Sequence, residues 1–264
     1  VLIDPNAWAR DGATALAEWT PSEDGKYLLY SVQDGGTDWR IVRVMDVATG
    51  KDTADEIRWV KFSSLDWAKD GSGFYYSRFP EPKEGEAFQS LNENHAVYFH
   101  KLGTPQSADV LIHATPDQPE LNHGALVTDD GQYVLVVSSK GTDERFGLTL
   151  HPVKGGKAIT LVDDYANNWE YVTNQGTRFT FLTNKDAPRQ RLVSLDIRKP
   201  AALTQIVGEQ EGTLVGASRV GDRIILSYLG DAKSEARMVA LDGKPVANIN
   251  LGEIGTASGF GGKP

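Results

Sequence analysis

Five histidines, His95, His100, His113, His123 and His151, and the string Gly255-Thr256-Ala257-Ser258-Gly259 are the residues from which metal or nucleophilic chemistry would have to be assembled. Zinc is held by closely spaced histidines and cysteines. Here the histidines are scattered and there are no cysteines, so a metal would need carboxylates from distant parts of the chain. The histidines read as ordinary strand or loop residues, and no metal or other cofactor is expected. A nucleophile elbow needs G-x-S-x-G between a strand and a helix; Ser258 stands one residue late in its string and no helical pattern follows it. Phosphate loops fail as well, because Gly262-Lys263 runs into proline and Gly156-Lys157 lacks the earlier glycine. Asp129-Asp130-Gly131 lacks the spaced oxygen ligands of a calcium loop, and a hairpin turn accounts for it. Carboxylates are abundant, so a glycosidase-type pair stays open, but no residues are singled out for it.

The elements that would carry any site are set by a repeat. A hydrophobic approach, a glycine turn and an aromatic-aliphatic run recur five times, as in Trp19 to Gly25 followed by Tyr27 to Tyr30 and Leu65 to Gly71 followed by Phe74 to Ser77. The turn glycines, Gly25, Gly71, Gly131, Gly176 and Gly221, are 46, 60, 45 and 45 residues apart. Each turn joins two strand-like runs, since glycine accepts the positive φ of a tight hairpin and a neighbouring acid or amide bonds the turn backbone. A second strand pair follows every hairpin, around Ala48 to Lys51, Gly103 to Pro105, Gly155-Gly156, Arg198 to Pro200 and Asp242 to Pro245. Four strands in about 45 residues is the size of a β-propeller blade. The fold expected is therefore all-β, with five complete four-stranded blades and, in Gly255 to Pro264, the start of a sixth. Tyr27, Phe74, Tyr133 and Phe179 are expected to fill the blade interfaces. The long interval holds an extra Glu-, Pro-, Gly- and Lys-rich stretch, Arg78 to Asn94, expected to be a mobile loop inserted in the second blade.

The 264 residues are expected to form one domain segment of stacked units. A net charge of −9 with no basic cluster argues against nucleic acid as a partner. No apolar run is long enough to cross a membrane, so a soluble segment is expected, cytoplasmic or periplasmic. The chain starts at Val1 without a methionine or a signal-like region, and is expected to be a segment of a longer polypeptide.

Several strings resemble the propeller of the prolyl oligopeptidases: Val1 to Asn6, Ser22 to Tyr27, Thr37-Asp38-Trp39, and Val60-Lys61-Phe62-Ser63 followed by Trp67 and Asp70-Gly71. The resemblance continues through Leu102-Gly103-Thr104, Asp129 to Leu135, Tyr171 to Asn174 and Phe179-Thr180-Phe181, in the same order along the chain. It implies a seven-bladed propeller over an α/β-hydrolase domain, a serine peptidase that cleaves short peptides after proline. That catalytic domain, its triad included, would lie elsewhere in the parent chain, leaving this segment inactive alone. Its partners would be that domain and short proline-containing peptides. On the matching strings, Phe62 corresponds to a cavity-lining phenylalanine that helps hold the residues before the proline, with Lys61 on the opposite strand face or at the cavity edge. Asn122 corresponds to a methionine of the animal enzymes, and Thr142, beyond Lys140-Gly141, to a cysteine, making that side of the cavity more polar. The substrate-binding set so implied is Phe62, Asn122, Lys140 and Thr142, and the Arg78 to Asn94 stretch falls where the family has a loop associated with substrate entry. The alternative reading is a stand-alone propeller serving as a protein-interaction platform.

Overall fold

The computed structural model describes residues 1–264 except 10–11, 87–90, 232, 253–254, 256 and 263–264. Among the described residues the regular structure is almost entirely antiparallel β, with two short 3-10 turns, at Pro5–Ala7 and Gln106–Ala108. One sheet contains β1 (Ala15–Pro21), β2 (Tyr27–Gln33), β3 (Arg40–Asp46), β4 (Lys51–Val60), β5 (Asp66–Trp67), β6 (Gly73–Arg78), β7 (Ala96–Lys101) and β8 (Val110–Ala114). It divides in chain order into β1 to β4 and β5 to β8, joined through a single strand pairing, Val60 opposite Arg78. Three four-stranded sheets follow. They hold β9 (Leu121–Val127), β10 (Tyr133–Lys140), β11 (Gly147–Pro152) and β12 (Ile159–Val162); then β13 (Trp169–Gln175), β14 (Arg178–Thr183), β15 (Arg191–Asp196) and β16 (Lys199–Val207); then β17 (Thr213–Val220), β18 (Arg223–Gly230), β19 (Lys233–Ala240) and β20 (Pro245–Ile249). The described residues after Ile249, where a further strand was expected, form none.

Two of the repeated turns share one hydrogen-bonding plan. Ser22 Oγ donates to Asp24 Oδ1 at 2.8 Å and accepts from the Tyr27 N–H at 3.0 Å, while the Gly25 N–H reaches the Ser22 carbonyl at 2.9 Å. Thr128, Asp130, Gly131 and Tyr133 repeat it at 2.7, 3.1 and 2.8 Å. Both polar side chains thus satisfy the groups that the turn removes from the strand ladder. The glycines of all five repeats have φ between 58° and 70°, the left-handed region that side chains with a Cβ enter only at a cost.

The chain divides into two compact units, Val1–Asp143 with Leu148–Thr160, and Glu144–Gly147 with Leu161–Pro264. In the first, Leu29, Val42, Ile57, Phe74 and Tyr76 form a closed apolar cluster, and Tyr75, Val97, Val127, Val134 and Val136 form another. In the second, Leu182, Leu192, Ile224, Leu226 and Tyr228 make the corresponding core. Phe74 and Phe179 are wholly buried, as the repeat implies, whereas Tyr27 and Tyr133 are only half-buried. Burying one such phenylalanine is worth about 2–3 kcal/mol.

A charged clamp crosses the first unit. His100, with no exposed surface, lies between Asp109 (Nδ1 to Oδ1, 2.7 Å) and Asp55 (Nε2 to Oδ1, 3.0 Å). Tyr76 donates to the other Asp109 oxygen at 2.7 Å, and Thr53 Oγ1 and the Gly103 N–H donate to Asp55, each at 2.6 Å. Burial favours the neutral ring, but the two carboxylates outweigh it and raise the His100 pKa. The protonated ring then has a donor for each carboxylate, and β7 is tied to β4 and to the approach to β8.

Candidate functional site

The chain leaves β4 through two left-handed residues without glycine, Trp59 at φ 63° and Phe62 at φ 54°. Such a conformation costs about 1–2 kcal/mol per residue and persists only where surrounding contacts impose it. Those contacts are present. Ser63 Oγ accepts the Ser77 N–H at 2.7 Å, and Ser64 Oγ donates to the Ala125 carbonyl at 2.8 Å and accepts its N–H at 3.1 Å. Leu65 N–H donates to Glu18 at 3.1 Å, and Asp66 accepts the Val127 N–H at 2.7 Å. The segment from Lys61 to Asp66 is thereby fastened to β6, β9 and β1, and Phe62 is left 47% exposed. Its ring meets the buried Phe79 edge-on, with centroids 6.3 Å apart, so Phe62 is not another core aromatic.

Phe62 forms one wall of a cavity of about 430 Å³. Asn122 and Gly124 contribute from β9, Ser139 from β10, and Thr142 from the turn beyond it. Asn122 and Ser139 are cross-strand partners, so strand pairing fixes their spacing. The Asn122 Oδ1 is buried and has no hydrogen-bond partner. Glu120 and Asn92 complete the rim. Three of the four residues selected from the sequence, Phe62, Asn122 and Thr142, thus meet at one cavity. Lys140 stands beside it, its Nζ 3.1 Å from Glu120. Lys61 reaches Asn92 at 3.1 Å and lies 5.3 Å from the centre of the Phe62 ring, a cation–π distance. Glu120 is held below the usual carboxylate range by its own backbone N–H and by Lys140, and is ionised at neutral pH.

Sequence reasoning missed what lies beneath the floor. His95, His123, His113 and His151, spread over 57 residues, form a continuous file. Phe79 stacks on His95 at 4.4 Å, and His95 Nδ1 accepts the His123 N–H at 2.9 Å. His123, which lines the cavity, contacts Ser138 Oγ and Thr115 Oγ1 at 2.9 and 3.0 Å. His113 Nδ1 and His151 Nε2 are 3.0 Å apart. Burial pushes His95 down to about 4, against a smaller pull from the Lys61 backbone, and His123 down to about 3. His113 falls to about 4, and His151 is lowered too. All four are neutral at pH 7. The only sequence signal was the excess of histidine between positions 95 and 151, and nothing in their spacing announced the contact. Among the described residues, no group of three or more histidines and carboxylates is placed to hold a metal.

A larger hollow of about 600 Å³ lies beside β8, walled by Tyr75, Phe99, Val110, Ile112, Val127 and Val153. Lys69, Asp70, Ser72, Asp130 and Lys154 also line it, but none of the sequence-selected substrate-binding residues does, so the smaller cavity, where three of them meet, is the better candidate. Of the described residues, no helix is long and apolar enough to cross a membrane.

Repeated antiparallel hairpins around a small, half-polar cavity define an all-β repeat domain. The chain belongs to the family described as the prolyl oligopeptidase N-terminal β-propeller domain, whose model matches residues 1–264. It is 34% identical to the prolyl endopeptidase of Elizabethkingia meningoseptica, over 100% of this chain and 37% of that protein. It is 30% identical to prolyl oligopeptidase A of Galerina marginata, over 97% of this chain and 38% of the relative. A solved structure from work on the inter-domain dynamics of two prolyl endopeptidases superimposes with a TM-score of 0.91 at 42% identity, covering 100% of this chain and 38% of the other. Prolyl oligopeptidase B from Galerina marginata, bound to a 25-residue macrocyclization substrate, gives 0.89 at 25% identity, covering 97% and 38%. The chain therefore spans little more than a third of the length of the relatives it matches.

Proposed function

We propose that this chain is the propeller portion of a serine-type prolyl oligopeptidase, which hydrolyses short peptides on the carboxyl side of proline. In this reading the strands make five blades of four, β1 to β4 through β17 to β20, and Gly255 to Pro264 opens a sixth within one propeller domain. The 45-residue interval and the order of the sheets support it. The nucleophile, base and oxyanion donors belong to an α/β-hydrolase domain of the same parent chain. The propeller's contribution is selection: it shields the reacting groups from water, turns away folded proteins and contacts the peptide before the proline. The stretch from Arg78 to Asn94 lies on the entry route, its residues 87–90 outside those described.

The observation that carries this reading is the meeting of Phe62, Asn122 and Thr142 around one cavity. Phe62 packs against the side chain before the proline, Asn122 and Thr142 offer it polar contacts, and Lys140 holds Glu120 at the rim. A stand-alone interaction platform is the less favoured reading, as the relatives named above are peptidases. The test is Phe62→Ala in the chain joined to its catalytic domain. Loss of an aromatic contact worth about 1–2 kcal/mol lowers kcat/KM on extended prolyl peptides roughly 5–30-fold, with a smaller effect on dipeptide substrates that do not reach the cavity. Equal effects on long and short substrates would remove Phe62 from the binding surface.

A further inference from the structure

The cavity's recognition chemistry points in one direction. Among the described residues that line it, Glu120 alone carries a charge at neutral pH, since burial keeps His123 unprotonated. Asn122 presents a buried carbonyl oxygen with no donor. Phe62 presents the face of an exposed ring. A carboxylate, an unpaired acceptor and an aromatic face all recognise a hydrogen-bond-donating cation. The protein's own lysines already approach two of these groups: Lys140 Nζ sits 3.1 Å from Glu120, and Lys61 Nζ lies 5.3 Å from the Phe62 ring centre. Lys61 is little exposed and is further held by Asn92 at 3.1 Å and by Asp38 at 3.9 Å. Lys140, in contrast, is 70% exposed and forms its ion pair in water. Such pairs are worth about 0–1 kcal/mol, so an incoming cation displaces Lys140 from Glu120 at little cost. The net charge of −9 adds attraction at longer range.

Building on the peptidase reading, we propose that this cavity seats a cationic side chain, lysine or arginine, of the peptide before its proline, with Glu120 and Asn122 as the specificity-determining residues. Lys140 acts as an internal competitor that covers Glu120 when no basic peptide is bound.

The experiment uses the chain joined to its catalytic domain and prolyl peptides carrying lysine, or its uncharged isostere norleucine, at each of the second to fourth positions before the cleaved bond. At one position lysine is expected to exceed norleucine about tenfold in kcat/KM at low salt, and the ratio shrinks as salt screens the pair. Glu120→Gln lowers the ratio severalfold, and Glu120→Lys reverses it in favour of a glutamate peptide. Lys140→Ala raises it, a gain that a misfolded protein would not show. A ratio of one at every position in both the parent and Lys140→Ala, with hydrolysis after proline intact, overturns the inference and leaves the peptidase reading standing. Absence of any hydrolysis after proline overturns the peptidase reading instead.

Discussion

Acidification is expected to loosen the cavity floor well before the carboxylates titrate. A histidine whose pKa is depressed by folding binds fewer protons in the native state than in the unfolded chain. The stability it contributes is complete above the unfolded value near 6.5 and drains away as the pH falls toward the folded value. His95 and His123 are 1% and 0% exposed, with folded values of about 4 and about 3. Between pH 7 and pH 5 each therefore removes roughly 2 kcal/mol, or about 4 kcal/mol for any opening that wets both. His100, Glu18 and Asp66, whose pKa values are raised in the fold, pull the opposite way and offset part of this. The His123 N–H donates to His95 Nδ1, the atom a proton would occupy, so the amides of β9 report the event directly. Hydrogen exchange of residues 121–127, corrected for the intrinsic rate at each pH, should lose protection by a factor approaching 10³ from pH 7 to pH 5. The double variant His95→Gln, His123→Gln should show a much flatter pH profile. Protection that changes less than about threefold, or a double variant with an undiminished fall, would refute the assignment of buried neutral histidines.

The remaining predictions concern the scaffold. His100→Ala strands two buried carboxylates, Asp55 and Asp109, and should destabilise the fold by about 3–5 kcal/mol, seen as a lower urea midpoint with little change in slope. A methyl group at Gly73 would overlap the His100 carbonyl oxygen across β6 and β7, so Gly73→Ala should cost more than about 2 kcal/mol and lower the thermal midpoint. Ser64→Ala removes both hydrogen bonds that fasten the Phe62 segment to Ala125. It should cost about 1–2 kcal/mol and, on the proposed function, raise KM for extended peptides more than it lowers kcat.

The fold was legible where the physics is local. A Ser- or Thr-initiated turn ending in glycine carries its own hydrogen bonds, so Ser22 to Tyr27 and Thr128 to Tyr133 could be placed as hairpins from the residues alone. The second turn between β3 and β4 was equally readable: the Thr49 N–H and Oγ1 both donate to Asp46 Oδ1. The half-buried Tyr27 and Tyr133 were less so, because a repeat fixes which face a residue occupies without fixing what covers it. The cavity residues were reached only through likeness to a family, since Phe62 and Asn122 are separated by 60 positions and no periodicity connects them. The histidine file and the His100 clamp were invisible for the same reason. Their partners come from different strands, and a scattered histidine looks the same in sequence whether it faces water or another imidazole.

The strand order has a kinetic meaning. Among the described residues every hydrogen-bonded strand pair joins neighbours along the chain, apart from β4 and β6, which skip the short β5. Closing most of these hairpins fixes a loop of only a few residues at small entropic cost, the long connection 79–95 between β6 and β7 being the exception. Each group of four strands has the contacts to assemble while later ones are still being synthesised, so within each unit an apolar sheet face waits only for the next group of strands to cover it. The tempo of translation, rather than a slow search for remote partners, is then what limits how long such faces stay open to misassociation.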